Sequence, residues 1–254
     1  MTQVSVEKLW KVYGDQTVLE NISFDVAAGS FVALVGPSGC GKSTFLRMML
    51  GDEAPTKGRI LVDGVPLEAE PSPDRGVVFQ KYSVFPHLTA LQNVMLGLEF
   101  AGSPFAARLF GRARREARTC ALDMLKCVGL EQAVRKYPSE LSGGMQQRLA
   151  IAQALVKKPK ILLLDEPFGA LDPGIRAEVH EILLSLWREE GMTVFMVTHD
   201  LSEAFKLATR VIAFDRRRTR PEELKAYGAT VTFDIKVDGK TVPIPASAPA
   251  LAAQ

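Results

Sequence analysis

Cysteine is scarce. Cys40, Cys120 and Cys127 are the three in 254 residues, and their spacing matches no metal-ligand pattern. An odd, sparse set argues against a disulfide framework and implies reduced thiols in a cytosolic protein. Long apolar runs are missing too: no stretch approaches the roughly 18 to 20 residues needed to cross a bilayer, so another chain would have to supply any membrane path. No secretory leader is evident, since the chain opens with Thr2, Gln3 and Glu7 amid alternating residues. A formal net charge of +2 gives no general bias toward nucleic acid. At 47% hydrophobic and 24% charged, the chain is neither disordered nor fibrous and can form one large domain or two lobes with a core.

What is present is a set of motifs with definite chemistry. Gly36 to Thr44 read GPSGCGKST and fit the pattern G-x-x-x-x-G-K-[ST]. In that pattern a glycine-rich turn points backbone N–H groups at phosphates and a lysine supplies positive charge. Lys42 is therefore expected to reach the β- and γ-phosphates, with amides from Gly39 to Thr44 around them and the Ser43 hydroxyl on Mg²⁺. Alone, this says only that a mononucleotide binds. Leu141 to Arg148 read LSGGMQQR, where Ser-Gly-Gly before a polar helix start offers a hydroxyl and free N–H donors to an anion. Ile161 to Glu166 read ILLLDE, an apolar run ending in two carboxylates. Asp165 is the expected Mg²⁺ ligand and Glu166 the expected general base for an attacking water. Adjacent strand residues point to opposite faces, so this pair must sit where the strand ends and the backbone turns.

The surrounding pattern is that of an α/β chain. Phe31 to Val35 is an apolar run entering the glycine loop, and Lys42 to Leu50 should be a helix ending at Gly51. Arg59 to Val62 leads to an Asp63-Gly64 turn. From about Ala90 to Tyr137 the pattern is helical, with Ala121, Leu122, Leu125 and Val128 at helical spacing. A further helix starts at the Ser-Gly-Gly segment and is bounded by Pro159. Ile161 to Leu164 and Val194 to Val197 suit buried parallel strands whose C-terminal ends carry chemistry. Val211 to Phe214 is a strand, Val231 to Val237 an expected hairpin arm turning at Asp238-Gly239, and the Ala- and Pro-rich tail is expected to be disordered. Cys40, beside Lys42 and a helix N-terminus, is in a setting expected to favour thiolate.

In order and spelling these motifs resemble the ATPase subunit of ABC (ATP-binding cassette) transporters, over roughly residues 4 to 214. The resemblance implies an α/β P-loop NTPase with a RecA-like parallel-sheet core, an antiparallel β-lobe and a helical lobe carrying the LSGG signature. Residues 1–90 would hold the β-lobe and phosphate loop, 91–150 the helical lobe, 151–215 the rest of the core, and 216–254 a short extension. It also implies an ATPase that uses ATP and Mg²⁺. Tyr13 would stack on adenine with Val18 against the base edge, although Trp10 is near enough to compete. Gly36, Pro37, Ser38, Gly39, Cys40, Gly41, Lys42, Ser43 and Thr44 would cradle the phosphates. Gln80 would approach Mg²⁺ and the attacking water while facing a membrane partner; a neutral amide suits both tasks because it donates and accepts. His199 would contact the γ-phosphate and hold the water near the catalytic glutamate. Ser142, Gly143 and Gly144 would reach the γ-phosphate of a second copy in a head-to-tail homodimer, with Asp172 of LDPG at the joint.

EPFGALD and THDLSEAFKLATR are most similar to bacterial importer ATPases of the nitrate, sulfonate and taurine branch, with a urea or short-amide importer equally open. That implies permease partners, an indirect partner in an extracytoplasmic solute-binding protein, and a peripheral place on the cytoplasmic face of the inner membrane. The rival class is an ABC ATPase of a structural or nucleic-acid complex, but the chain sustains no heptads for the long coiled coils of such proteins. No Asn-Lys-x-Asp guanine pattern occurs. Two basic clusters remain: Arg108, Arg112, Arg114, Arg115 and Arg118 against Glu116, and Arg216, Arg217, Arg218 and Arg220. A solvated face and a contact with a partner or anionic lipid are both open for them, and nucleic acid is not expected without interleaved aromatics.

Overall fold

The computed structural model describes residues 2–79, 84–102, 109–216 and 227–237. In chain order the strands are β1 (Val4–Tyr13), β2 (Gln16–Val26), β3 (Phe31–Val35), β4 (Lys57–Val62), β5 (Val65–Pro66), β6 (Arg75–Val78), β7 (Ile161–Asp165), β8 (Thr193–Val197), β9 (Arg210–Asp215) and β10 (Thr230–Lys236). The helices are α1 (Lys42–Leu50), α2 (Ala90–Gly102), α3 (Gly111–Cys127), α4 (Gly143–Leu155), α5 (Pro173–Glu190) and α6 (Leu201–Leu207). They form two compact units, one from Met1–Ser72, Leu163–Glu166 and Gly191–Gln254, the other from Pro73–Leu162 and Pro167–Glu190.

The first unit contains two kinds of sheet, and the sequence pattern explains both. β2 alternates buried Leu19, Ile22, Phe24 and Val26 with more exposed residues, as a strand with one covered face requires. It joins an antiparallel sheet of order β2-β1-β4-β5. β3 and β8 are buried at every position, the signature of strands covered on both faces. Here the order is β10-β9-β3-β8-β7. β3 runs parallel to β8 and β9, in register from Phe31 opposite Val194 to Leu34 opposite Val197. β10 pairs antiparallel with β9, while the turn expected at Asp238-Gly239 and the tail lie outside the described residues.

Helix α1 has the bounds that the sequence predicts. It ends at Gly51, whose φ of 87° is the left-handed conformation that glycine adopts freely, and whose N–H donates to the carbonyls of Arg47 and Met48. Phe45 fixes its inner face. The ring is fully buried with centroids 5.7 Å from Phe24 of β2, 6.1 Å from Phe195 of β8 and 5.7 Å from Phe214 of β9. One side chain thus locks the helix behind the glycine loop onto strands of both sheets.

In the second unit α2 packs against α3 and α4. α3 buries Ala117, Ala121, Met124 and Leu125 at helical spacing; Ala121, Leu125 and Val128 of the expected stripe are buried and Leu122 lies at its margin. Arg112, Arg114, Arg115 and Arg118 are exposed, and Arg112 pairs with Glu116 at 2.7 Å, one helical turn away. Arg108, Arg217, Arg218 and Arg220 lie outside the described residues. Among the described residues no helix is long and apolar enough to cross a membrane.

Replacing Phe45 by Ala is expected to destabilise the protein by about 3–5 kcal/mol through lost burial and a cavity. Chemical denaturation should show a lower midpoint with an unchanged m-value. A midpoint equal to wild type would show that Phe24, Phe195 and Phe214 hold α1 without it.

Candidate functional site

β3 delivers the chain into the glycine loop, where Gly36 and Gly41 each answer a close steric approach and Gly39 a left-handed backbone. A Cβ at Gly36, where φ is 148°, would run into the carbonyl oxygen of Phe214 in β9. At Gly41, where φ is 97°, it would lie 2.7 and 2.8 Å from the Leu19 and Val18 side chains. Gly39 has φ 75° and faces open space. Pro37, Ser38 and Gly39 are exposed, Thr44 is half-buried, and Gly41 caps α1 without a side-chain hydrogen bond. The first amides of α1 are thus left for an external anion. Lys42 is 6% exposed; its ammonium donates to the carbonyls of Gly36 at 2.7 Å and Pro37 at 2.9 Å and lies 3.8 Å from the Cys40 sulfur. A buried ammonium held by carbonyls at the mouth of a helix is suited to exchange them for phosphate oxygens.

The acidic pair completes the donor set. Ser43 Oγ donates to Asp165 Oδ1 at 3.0 Å, joining the residue after the lysine to the end of β7. Burial pushes the Asp165 carboxyl above its usual range, against the Ser43 hydrogen bond, and neighbouring Glu166 adds to the rise. A hydroxyl and a partly desolvated carboxylate in contact suit a hard divalent cation, so Mg²⁺ fits these residues. Glu166 has φ 46°, a left-handed conformation that costs a non-glycine residue on the order of 1–3 kcal/mol. Its N–H donates to the Val197 carbonyl of β8 at 3.0 Å. The turn expected between the two carboxylates is therefore concentrated in one residue. His199 follows β8, with Nδ1 3.5 Å from Glu166 Oε2 and the imidazole 66% exposed.

Lys42, Ser43, Asp165, Glu166 and His199 are thus brought together within the first unit. Val18 lies against the glycine loop, as the Gly41 contact shows. Tyr13 is 44% exposed, with its hydroxyl hydrogen-bonded to Glu53 and the Lys11 ammonium 4.8 Å from its ring centroid. Burial, then Glu53, pushes the phenol up to about 12, so it stays neutral. Trp10 has Lys57 5.7 Å from its ring centroid. Nothing in the sequence pattern signalled the link between Tyr13 and Glu53.

The signature residues belong to the second unit. Ser142 Oγ accepts from Met145 N at 3.3 Å and caps α4, leaving Ser142 and Gly143 exposed. Gly144 is buried, and a Cβ there would collide with Ile175 of α5, so close helix packing alone demands glycine. Asp172 is exposed just before α5, its carbonyl accepting from Arg176 N at 2.8 Å. Gln80 lies outside the described residues.

Cys40 needs correction. Its residue is 2% exposed, and this burial pushes the thiol above its ordinary pKa despite the nearby Lys42. The setting expected to favour thiolate is outweighed by desolvation, which penalises the anion.

The ABC transporter family profile matches residues 19–169. The chain belongs to the ABC transporter family. Over 213 residues it is 44% identical to the bicarbonate transport ATP-binding protein CmpD of Synechocystis sp., covering 82% of this chain and 73% of that protein. Over 202 residues it is 45% identical to the taurine import ATP-binding protein TauB of Rhizobium johnstonii, covering 80% and 73%. Among solved structures, a dimeric ATP-binding cassette in a post-hydrolysis state with ADP and phosphate superposes with a TM-score of 0.74 at 33% identity. That match covers 93% of this chain and all of the other. The chain is an ABC-type ATPase that uses ATP and Mg²⁺, with the P-loop NTPase fold that the sequence implies.

At neutral pH a maleimide is expected to label exposed Cys127 before Cys40, with the Cys40 rate rising as pH increases. Peptide mapping by mass spectrometry distinguishes the two. Equal labelling rates at neutral pH would contradict a buried, protonated Cys40 thiol.

Proposed function

We propose that this chain is the energy-coupling ATPase of an importer for a small solute such as nitrate, a sulfonate, taurine or a urea-like compound, working as a head-to-tail homodimer on the cytoplasmic face of the membrane. The observation that carries the catalytic reading is the convergence of a carbonyl-bound Lys42, the Ser43–Asp165 contact and the Glu166–His199 approach in one unit. Lys42 and the loop amides take the phosphate charge. Mg²⁺, when bound, neutralises phosphate oxygens, and Ser43 and Asp165 would hold it with Gln80 nearby. Glu166 accepts the proton of the attacking water. His199 orients that water beside Glu166 and contacts the γ-phosphate. Tyr13 stacks on adenine.

Ser142, Gly143, Gly144 and Asp172 serve a second copy in this reading. The exposed Ser142 and Gly143 support it, as does the dimeric state of the solved relative. ATP then acts as interfacial glue, and hydrolysis loosens the pair, so that closing and opening become the stroke delivered to a permease.

A groove of about 320 Å³ in the second unit supports a permease contact. Phe79 and Phe85, 38% and 39% exposed, line it together with Gly97, Arg75 and Lys157. Its apolar floor and basic groups suit a cytoplasmic helix of the permease with an apolar face and an acidic side chain. Gln80 directly follows Phe79 in the chain. The solute itself is chosen by the permease and by an extracytoplasmic binding protein, since this subunit meets only cytoplasmic segments.

Glu166→Gln is expected to retain ATP binding while kcat falls by ~10²–10⁴, because the amide keeps the shape and cannot take a proton. Size-exclusion chromatography with light scattering should show an ATP-bound dimer accumulating. Turnover near wild type would assign the base to another residue.

A further inference from the structure

The turn that carries His199 is closed by a ring of three hydrogen bonds. Glu203 N donates to Asp200 Oδ1 at 3.1 Å, Asp200 N donates to Thr198 Oγ1 at 3.0 Å, and Thr198 Oγ1 donates to Glu203 Oε2 at 2.7 Å. Thr198 is 3% exposed and Glu203 7%. A carboxylate this deep is rare unless it is paired, so the ring satisfies a group that would otherwise be costly to bury.

The ring departs from ordinary helix capping in one telling respect. Asp200 is the N-cap of α6 and Glu203 its third helical residue, the positions of a capping box. In a simple capping box the glutamate reaches back to the N-cap N–H itself. Here the Thr198 hydroxyl stands between them, accepting from the Asp200 N–H and donating its own hydrogen bond to Glu203 Oε2. A cap needs only Asp200 and Glu203. Adding Thr198 ties the residue before His199 to the residue after it at a single oxygen. Thr198 N also donates to the Leu34 carbonyl of β3 at 3.2 Å, anchoring the ring to the strand that leads into the glycine loop. His199 is thus held at both flanking residues while its imidazole projects outward beside Glu166.

We infer that Glu203, acting through Thr198, is a positioning residue that sets the aim of His199 toward the attacking water. The inference rests on the catalytic reading of His199 given above. Glu203 acts through the turn, its carboxylate meeting the Thr198 hydroxyl and its N–H the Asp200 carboxylate.

The test is steady-state ATPase kinetics of the full chain with E203A, E203Q, T198V, H199A and the E203A/H199A pair. E203A and T198V should lower kcat by about tenfold or more, toward the ~10²-fold loss that misplacement by an ångström can cause, with KM for ATP nearly unchanged. E203Q should restore most of the rate, since its amide oxygen still accepts from Thr198. In the H199A background E203A should add little, because both act through the same imidazole. Wild-type kcat in E203A and T198V, with H199A impaired, would overturn the inference and leave the reading of His199 intact. Wild-type kcat in H199A would overturn that reading. Full additivity of E203A on H199A, or a loss seen mainly in KM, would assign Glu203 a general structural role. T198V deletes one hydroxyl at constant shape, so it decides the matter if E203A does not fold.

Discussion

The parallel pairing of β3 with β8 is the constraint on which the catalytic geometry depends. Parallel strands end on the same edge of a sheet, so the loop after Val35 and the turn after Val197 emerge together. Two cross-strand hydrogen bonds secure that edge: Thr198 N to the Leu34 carbonyl and Glu166 N to the Val197 carbonyl. Through them three chain segments, far apart in sequence, bring a lysine, two carboxylates and a histidine to one edge of the sheet, the site proposed for the phosphate chain. Phe45 then holds α1, and with it the glycine loop, against the same strands.

Charge in this edge is balanced by burial. Lys42 is an ammonium almost removed from water, resting on carbonyls that offer partial charge only. Asp165 is a carboxylate whose ionisation burial opposes. In the proposed site each group would gain from a highly charged ligand, the lysine from phosphate and the aspartate from a cation. The same desolvation keeps the Cys40 thiol protonated, so a cysteine in the phosphate loop need not be a reactive one. Strain adds to the preparation: Glu166 is held in a left-handed conformation that turns its carboxylate out of the strand's alternation.

The signature segment illustrates how one residue can answer to two demands. Gly144 is required by the approach of Ile175, and Ser142 caps its own helix, so both are explained by packing and capping within their unit. Their proposed contact with a second copy's phosphate adds to those local tasks. This is why the motif reads clearly as a helix start and only indirectly as a binding element.

Much of this was legible in the chain itself. The order of strand, glycine loop and helix, the limits of α1 from Lys42 to Gly51, and the strands ending at Asp165 and before His199 all follow from periodicity and turn chemistry, which act over a few residues. The family follows from motif order. What tertiary structure alone decided is which groups are dry and which side chains meet. The Ser43–Asp165 contact joins residues 122 positions apart, Tyr13 turns to Glu53, and Thr198 enters a cap that local rules assign to Asp200 and Glu203. Nor does the sequence show that its first unit is assembled from three separate stretches. Desolvation and cross-strand contact depend on whatever packs from elsewhere in the chain, and no local pattern of residues encodes them.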